Sequence, residues 1–263
     1  MECGSELRTT LNKRYNIMKS ISEGARTKPE ITENVEVSRS TVDRAIDKLQ
    51  ELDCTEQTGG TYQLTVKGQM AYKSHTEYIE LINKITNMGD VINEISNPAM
   101  VNREFIRHSI IYESKSQVPE SSLKRVREIL ESTSKIYGLA PIHLPTYRQM
   151  VMEAASENGL NAVIISQSCI LQELFEAIEE EMLKFTTHEN IHVFSIDESL
   201  PFPIWIMETD REDYAVLAVN GVGGIEATLI NENDDGIKWA KSVINEYMER
   251  SSIIEERESY QSY

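Results

Sequence analysis

Val37-Ser38-Arg39-Ser40-Thr41-Val42-Asp43-Arg44-Ala45-Ile46-Asp47-Lys48-Leu49 reads as a single amphipathic helix opened by a serine cap. The Ser38 hydroxyl suits the N-cap, where it can accept from one of the first free backbone N–H groups. Val42, Ala45, Ile46, Leu49 and Leu52 recur at helical spacing and form an inward stripe. The opposite face carries Arg39, Ser40, Asp43, Arg44 and Asp47, with Thr41 near its edge. Exposed arginines and hydroxyls at a helix N-terminus are what a recognition helix presents to base edges in a major groove. Arg39 or Arg44 can pair bidentately with guanine, worth about 1–3 kcal/mol of discrimination each. Ser38, Ser40 and Thr41 can reach phosphates or bases. Asp43 and Asp47 oppose phosphate unless paired, for example Arg39 with Asp43 at i,i+4. The bland alternative is a solvated helix face, so the flanking elements decide.

Upstream, Leu11, Tyr15, Met18 and Ile21 mark a first helix that Gly24 ends, and Pro29 opens a second with Ile31 and Val35 inward. The break at Glu36-Val37 separates it from the third helix. Lys28 and Lys48 are candidates for phosphate contact, which positions a protein but carries little sequence information. Downstream, Gly59-Gly60 tolerates the positive φ of a tight hairpin, with Tyr62 and Leu64 on one face of the return strand. Thr58, Gly59, Gly60 and Thr61 form a wing tip without Arg or Lys, expected to reach DNA backbone through main-chain amides and threonine hydroxyls. Thr65 can cap a further helix in which Gly68 and Ala71 allow close packing. Together these elements read as a winged helix-turn-helix over residues 1–75. The helical pattern continues to about Ile95 through Ile79, Ile82, Ile85 and Ile92, predicting a linking helix over 76–97 that pairs two copies as a homodimer.

The net charge of −17 argues against nucleic acid at first sight. Residues 1–75, however, hold eleven basic and eleven acidic side chains, so the whole acidic excess lies beyond the reader. Such a chain would turn its basic end toward phosphate, with modest and salt-dependent affinity. The start of the chain has neither a basic region nor an apolar core of a secretory signal. No apolar run is long enough to cross a bilayer. Cys3, Cys54 and Cys169 are widely spaced and odd in number, which points to reduced thiols in a cytoplasm.

Ser96-Asn97-Pro98 is the expected break into a second domain over 98–254, followed by a polar tail over 255–263. Helices are expected at Ser121–Tyr137, Thr146–Asn158, Cys169–Phe185 and Gly236–Arg250. Strands are expected at Ala162–Ser166 and Ile191–Ile196. Ile204–Met207, Tyr214–Val219 and Ile225–Ile230 should follow as an antiparallel meander through Asn220-Gly221 and Gly223-Gly224. The whole is an α/β fold: winged helix-turn-helix, linking helix, and an α/β effector domain with a mixed sheet.

Leu144-Pro145-x-Tyr147-Arg148, the strand-helix Val163-Ile164-Ile165-Ser166 with Leu171 and Leu174, Pro201-Phe202-Pro203 and the Trp239-Ala240 helix, together with the winged helix, resemble archaeal regulators of the methanogenesis-regulator type over residues 9–250. The resemblance implies a DNA-binding transcription factor with a C-terminal effector domain. The second half is also similar to the phospholipase-D-like sensor domains of archaeal sugar-responsive regulators.

Phospholipase D chemistry needs a His nucleophile with Lys two residues on, and none of His75, His108, His143, His188 or His192 has it. The pattern breaks between His188 and His192, which leaves no metal site, and no cofactor is implied. Ser166, Ser168 and Cys169 stand where a strand meets a helix, suited either to anion binding and a low-pKa thiol or to a plain cap over a buried cysteine. An effector pocket at the strand C-termini would be lined by His143, Tyr147, Arg148, Ser166, Gln167, Trp205 and Met207. Arg148 would there recognise an anion, or else hold a surface ion pair. No nucleophile–base set converges, so the expectation is a DNA-reading regulator with a small-molecule or partner sensor, not an enzyme. The alternative is an adaptor that docks a protein through the winged helix.

Overall fold

The computed structural model describes residues 2–95, 97–115, 117–118, 121–221 and 224–254. The chain divides into two compact units between Asn83 and Lys84, upstream of the break expected at Ser96-Asn97-Pro98. Ser96 and the tail 255–263 lie outside the described residues.

The first unit contains α1 (Glu2–Ser22), α2 (Lys28–Val35), α3 (Arg39–Glu51), the hairpin β1 (Thr55–Thr58) and β2 (Thr61–Leu64), and most of α4 (Val66–Asn87). A capping box opens α2. The Thr27 hydroxyl accepts from the Glu30 N–H at 3.5 Å, and the Glu30 carboxylate accepts from the N–H groups of Thr27 at 2.9 Å and Arg26 at 2.7 Å. Glu36 ends α2 in the left-handed region, φ 53°. The Ser38 hydroxyl caps α3 by accepting from the Thr41 N–H at 3.3 Å. Met18, Ile21, Ile31, Val42, Ala45, Ile46 and Leu49 close the core between the three helices. The Tyr62 N–H donates to the Arg26 carbonyl at 2.7 Å and ties the hairpin to the segment before α2. Thr65 caps α4 through the Gly68 N–H at 3.0 Å. A Cβ on Gly68 would stand 1.9 Å from the Cys54 carbonyl oxygen, so only glycine fits there. The predicted helix to Ile95 stops earlier: α4 ends at Asn87, Gly89 takes φ +53°, and Gly89–Glu94 is a 3-10 turn.

The second unit is a mixed eight-stranded sheet in the order β10-β6-β5-β4-β7-β8-β9-β3. Its strands are β3 (Ile110–Glu113), β4 (Thr133–Ala140), β5 (Asn161–Gln167), β6 (Ile191–Ile196), β7 (Ile204–Thr209), β8 (Asp213–Gly221), β9 (Gly224–Asn231) and β10 (Ser252–Ile253). β4, β5 and β6 are parallel, while β7, β8 and β9 form the antiparallel meander expected. Helices α6 (Lys124–Leu130), α7 (Pro145–Asn158), α8 (Ser168–Ala177) and α9 (Glu179–Thr186) contribute to one buried cluster with the sheet. The short α5 (Arg103–His108) and α10 (Asp234–Met248) contact each other, and α10 packs on β7 and β8. In α10, Ile237, Ala240, Val243, Ile244 and Tyr247 are buried, and the Trp239 ring meets Phe105 and Phe202.

Two expected helices are corrected here. Ser121–Tyr137 is not one helix: α6 stops at Leu130, where the hydroxyls of Ser132 and Thr133 bond back to the Ile129 carbonyl at 3.1 and 2.8 Å. The chain then enters β4, a central strand. Cys169–Phe185 is broken at Ile178, φ −142° and ψ 50°, into α8 and α9, the second opening on three glutamates that favour a helix N-terminus.

Candidate nucleic-acid interface and ligand cavity

Arg39, Ser40 and Arg44 are exposed on α3, while Thr41 is half-buried. Among the described residues neither arginine has an ion-pair partner, so both guanidinium groups keep their full set of donors. The expected Arg39–Asp43 pair is replaced: Asp43 holds Lys28 at 2.6 Å, and the lysine ammonium lies 5.8 Å from the centre of the Tyr62 ring. The Asp43 hydrogen bond raises the Lys28 pKa above its ordinary value. Lys48 is engaged as well, with Glu6 at 2.5 Å and Glu51 at 2.9 Å, and both carboxylates raise its pKa. The two lysines expected to contact phosphate are therefore paired with carboxylates, and the two arginines are open.

Ser38, Ser40 and Thr41 form a small hydroxyl cluster, with Ser38 Oγ 3.0 Å from Ser40 Oγ and 2.8 Å from Thr41 Oγ1. At the wing tip Thr58, Gly59, Gly60 and Thr61 are exposed, the glycines at φ +59° and +88°, and the Thr61 hydroxyl donates to the Thr58 carbonyl at 2.7 Å. Arg26 escaped the sequence reading. It is exposed beside the N-terminus of α2, and the signal for it was a basic residue directly before the Thr27-x-x-Glu30 box.

In the second unit, a cavity of about 90 Å³ opens between the sheet and helices α6–α9. Alternation along the strands builds its floor: Ile136 and Ala140 of β4, Ile164 and Ser166 of β5, Trp205 and Met207 of β7 all line it. Gly138 stands opposite Trp205 in register, and a Cβ there would lie 2.7 Å from the indole Cε3, so the glycine makes room for the ring. His143, Tyr147, Arg148, Ser166, Trp205 and Met207 line this one space. Gln167 does not; its side-chain oxygen accepts from the Leu200 N–H at 3.1 Å. Asn220, near the end of β8, joins the lining and was missed because a polar residue beside a hairpin reads as turn chemistry.

The lining is apolar apart from a few polar residues. Tyr147 Oη, Trp205 Nε1, His143 Nε2 and Asn220 Oδ1 are buried and have no hydrogen-bond partner within the protein. A buried polar group left unmet costs about 1–3 kcal/mol. Burial pushes the Tyr147 hydroxyl far up, so it stays protonated. Burial, with Arg148 nearby, lowers the His143 pKa and favours the neutral ring. Arg148 pairs with Glu181, which is the surface ion pair weighed against anion recognition. Ser166 Oγ donates to the Ala140 carbonyl at 2.9 Å.

Cys169 is exposed, not buried under its cap, and Ser168 Oγ donates to Asp197 at 2.7 Å. His188 accepts from the Asn190 N–H in the turn after α9, while His192 sits on β6. Among the described residues no group of three or more His, Cys, Asp or Glu could hold a metal ion, and no helix is long and apolar enough to cross a membrane.

No curated relative matches the chain. Among solved structures it is similar to TrmBL2, described as an archaeal chromatin protein with a novel mode of DNA binding, at 13% identity over 96% of this chain and 100% of that one, TM-score 0.42. It is also similar to NucT from Helicobacter pylori, at 11% identity over 56% of this chain and 98% of that one, TM-score 0.43. Nuc from Salmonella typhimurium, a phospholipase D family member, matches at 12% identity over 56% and 97%, TM-score 0.40. Family models match both parts of the chain: the HVO_A0261 N-terminal domain over residues 4–87, and the middle domain of the methanogenesis regulatory protein FilR1 over residues 119–250. With half of its length matched by the second, the chain belongs to the family of the FilR1 middle domain.

Proposed function

We propose that the protein is a site-specific, DNA-binding transcriptional regulator. It acts as a homodimer, and its second unit binds a small molecule that shifts how two reading helices engage double-stranded DNA. The observation that carries this reading is the pair of open guanidinium groups, Arg39 and Arg44, on the solvent face of a serine-capped helix followed by a wing. Membership in a family named for a regulatory protein supports it. Arg26 and the hydroxyls of Ser40 and Thr58 would contact backbone phosphate, and the arginines of α3 the bases.

The dimer reading draws support from α4, where Met70, Tyr78, Ile82 and Ile85 are exposed. Chain mass in solution checks it: Tyr78→Glu with Ile85→Glu should convert a dimer to a monomer with unchanged helicity, and a wild-type monomer at micromolar concentration would remove it. For DNA, footprinting on a selected site is the test. The Arg39→Ala, Arg44→Ala double variant should lose protection while staying folded; full protection by that variant would end the reading and favour a docking adaptor.

A further inference from the structure

We propose that the cavity of the second unit is a binding site for a short, uncharged alcohol, held by Tyr147, Trp205, His143 and Asn220. The inference deepens the regulatory reading and rests on it for its biological consequence, though not for the binding chemistry. Four of the seven buried side-chain polar atoms without a protein partner among the described residues belong to residues that line this one space. Scattered packing faults would not gather in that way.

Size sets the first limit. A cavity near 150 Å³ admits a benzene molecule, so about 90 Å³ admits fewer than its six non-hydrogen atoms, roughly four or five. Apolar walls, among them Ile136, Leu171, Phe185 and Val193, take the hydrocarbon part. Charge sets the second limit. Arg148 is the lone charged side chain of the lining and already holds Glu181, so a carboxylate or phosphate would be buried without a counterion. Hydrogen-bond polarity sets the third. The Trp205 Nε1–H can only donate and Asn220 Oδ1 can only accept, while the Tyr147 hydroxyl and a neutral imidazole do either. A ligand hydroxyl answers both needs, accepting from one side and donating to the other. A ketone answers one, and a hydrocarbon neither.

The chain has two tryptophans, so the indole N–H region of a ¹⁵N spectrum holds two signals, and Trp239→Phe assigns the one from Trp205. Titration of the full chain should move the Trp205 signal saturably with 1-butanol, more weakly with butanone, and not with butyrate. Asn220→Ala should weaken butanol about threefold to tenfold and leave butanone unchanged, since only the alcohol donates to Oδ1. Tyr147→Phe should weaken butanol by a similar factor, and Ala140→Leu, which fills the space, should abolish binding of both. Butyrate binding as well as butanol, no saturable shift with butanol, or Asn220→Ala lowering both affinities equally would each overturn the proposal. Footprinting alongside keeps the two readings apart. Butanol binding without altered DNA protection upholds the site and removes its regulatory role; site-specific protection with no butanol binding removes the site and leaves the DNA reading standing.

Discussion

At the residue scale, the distinction that matters is between cations that are open and cations that are held. Arg44 is exposed and unpaired among the described residues, whereas Lys28 and Lys48 are fastened to carboxylates. Arg44→Ala should therefore weaken binding to the specific site by about 1–3 kcal/mol, roughly fivefold to more than a hundredfold, and binding to random DNA far less. Competition binding against both DNAs measures the difference, and equal losses would reassign Arg44 to phosphate. The pairs Lys28–Asp43 and Lys48–Glu6 were not legible in the sequence, because they reach across helices, whereas Lys48–Glu51, at i,i+3 on α3, was. The cavity residues were more legible. His143, Tyr147 and Arg148 flank the Pro145 helix start, and strand ends placed Ser166 and Trp205 near them. His143 also gives a pH expectation. Its folded pKa lies below the ordinary 6.5, so between the two values the unfolded chain binds more protons and stability rises with pH. Acidification from pH 7 through 6.5 and below should destabilise the wild type, and His143→Gln should lose less over the same window. Urea midpoints across that range check the sign; identical pH profiles would show that burial of the ring has no energetic consequence.

At the level of elements, legibility followed the strength of local signals. The helices and hairpin of the first unit were readable, since the Ser38 cap, the apolar stripe of α3 and the Gly59-Gly60 turn are all local devices. β4 was not. Its sequence follows an amphipathic helix without Gly or Pro, and only the Ser132-Thr133-Ser134 hydroxyl run marks the switch. Its strand identity comes from pairing with β5 and β7, which are distant in sequence, so propensity was overridden by tertiary partners. The break at Ile178 had a readable sign in Glu179-Glu180-Glu181, but no glycine to enforce it. Gly138 shows how such a strand is made specific. Substitution by alanine would set a Cβ 2.1 Å from the Ile204 carbonyl oxygen and 2.7 Å from the indole, forcing β4 and β7 apart. Gly138→Ala should destabilise the second unit by about 1–3 kcal/mol. Denaturation followed by tryptophan fluorescence reads that unit alone, because Trp205 and Trp239 both lie in it. A midpoint unchanged within error would mean that the strands absorb the methyl.

At the scale of the whole molecule, charge separation governs how the protein would meet a polyanion. The reader is balanced, and the acidic excess lies beyond residue 75. Long-range attraction is therefore weak, and affinity must come from few close contacts. Around the reading surface the open cations are Arg26, Arg39 and Arg44, with Lys28 and Lys48 held by Asp43, Glu6 and Glu51. Each phosphate neutralised contributes a slope of about −0.9 to log K against log salt. With Arg26 as the open cation on phosphate in each reading head, a dimer should give a slope of about −2. Recruitment of both lysines in each head would steepen it to about −5. Anisotropy titrations at several potassium chloride concentrations separate these values. Lys28→Ala sharpens the comparison: a lysine already matched to Asp43 releases few counterions, so its removal should leave the slope unchanged. A slope that falls by about two units in the dimeric variant would mean that Lys28 abandons Asp43 for phosphate when DNA arrives. The ion pair would then be a latch on the reading surface, and Lys28 would share the backbone contacts with Arg26.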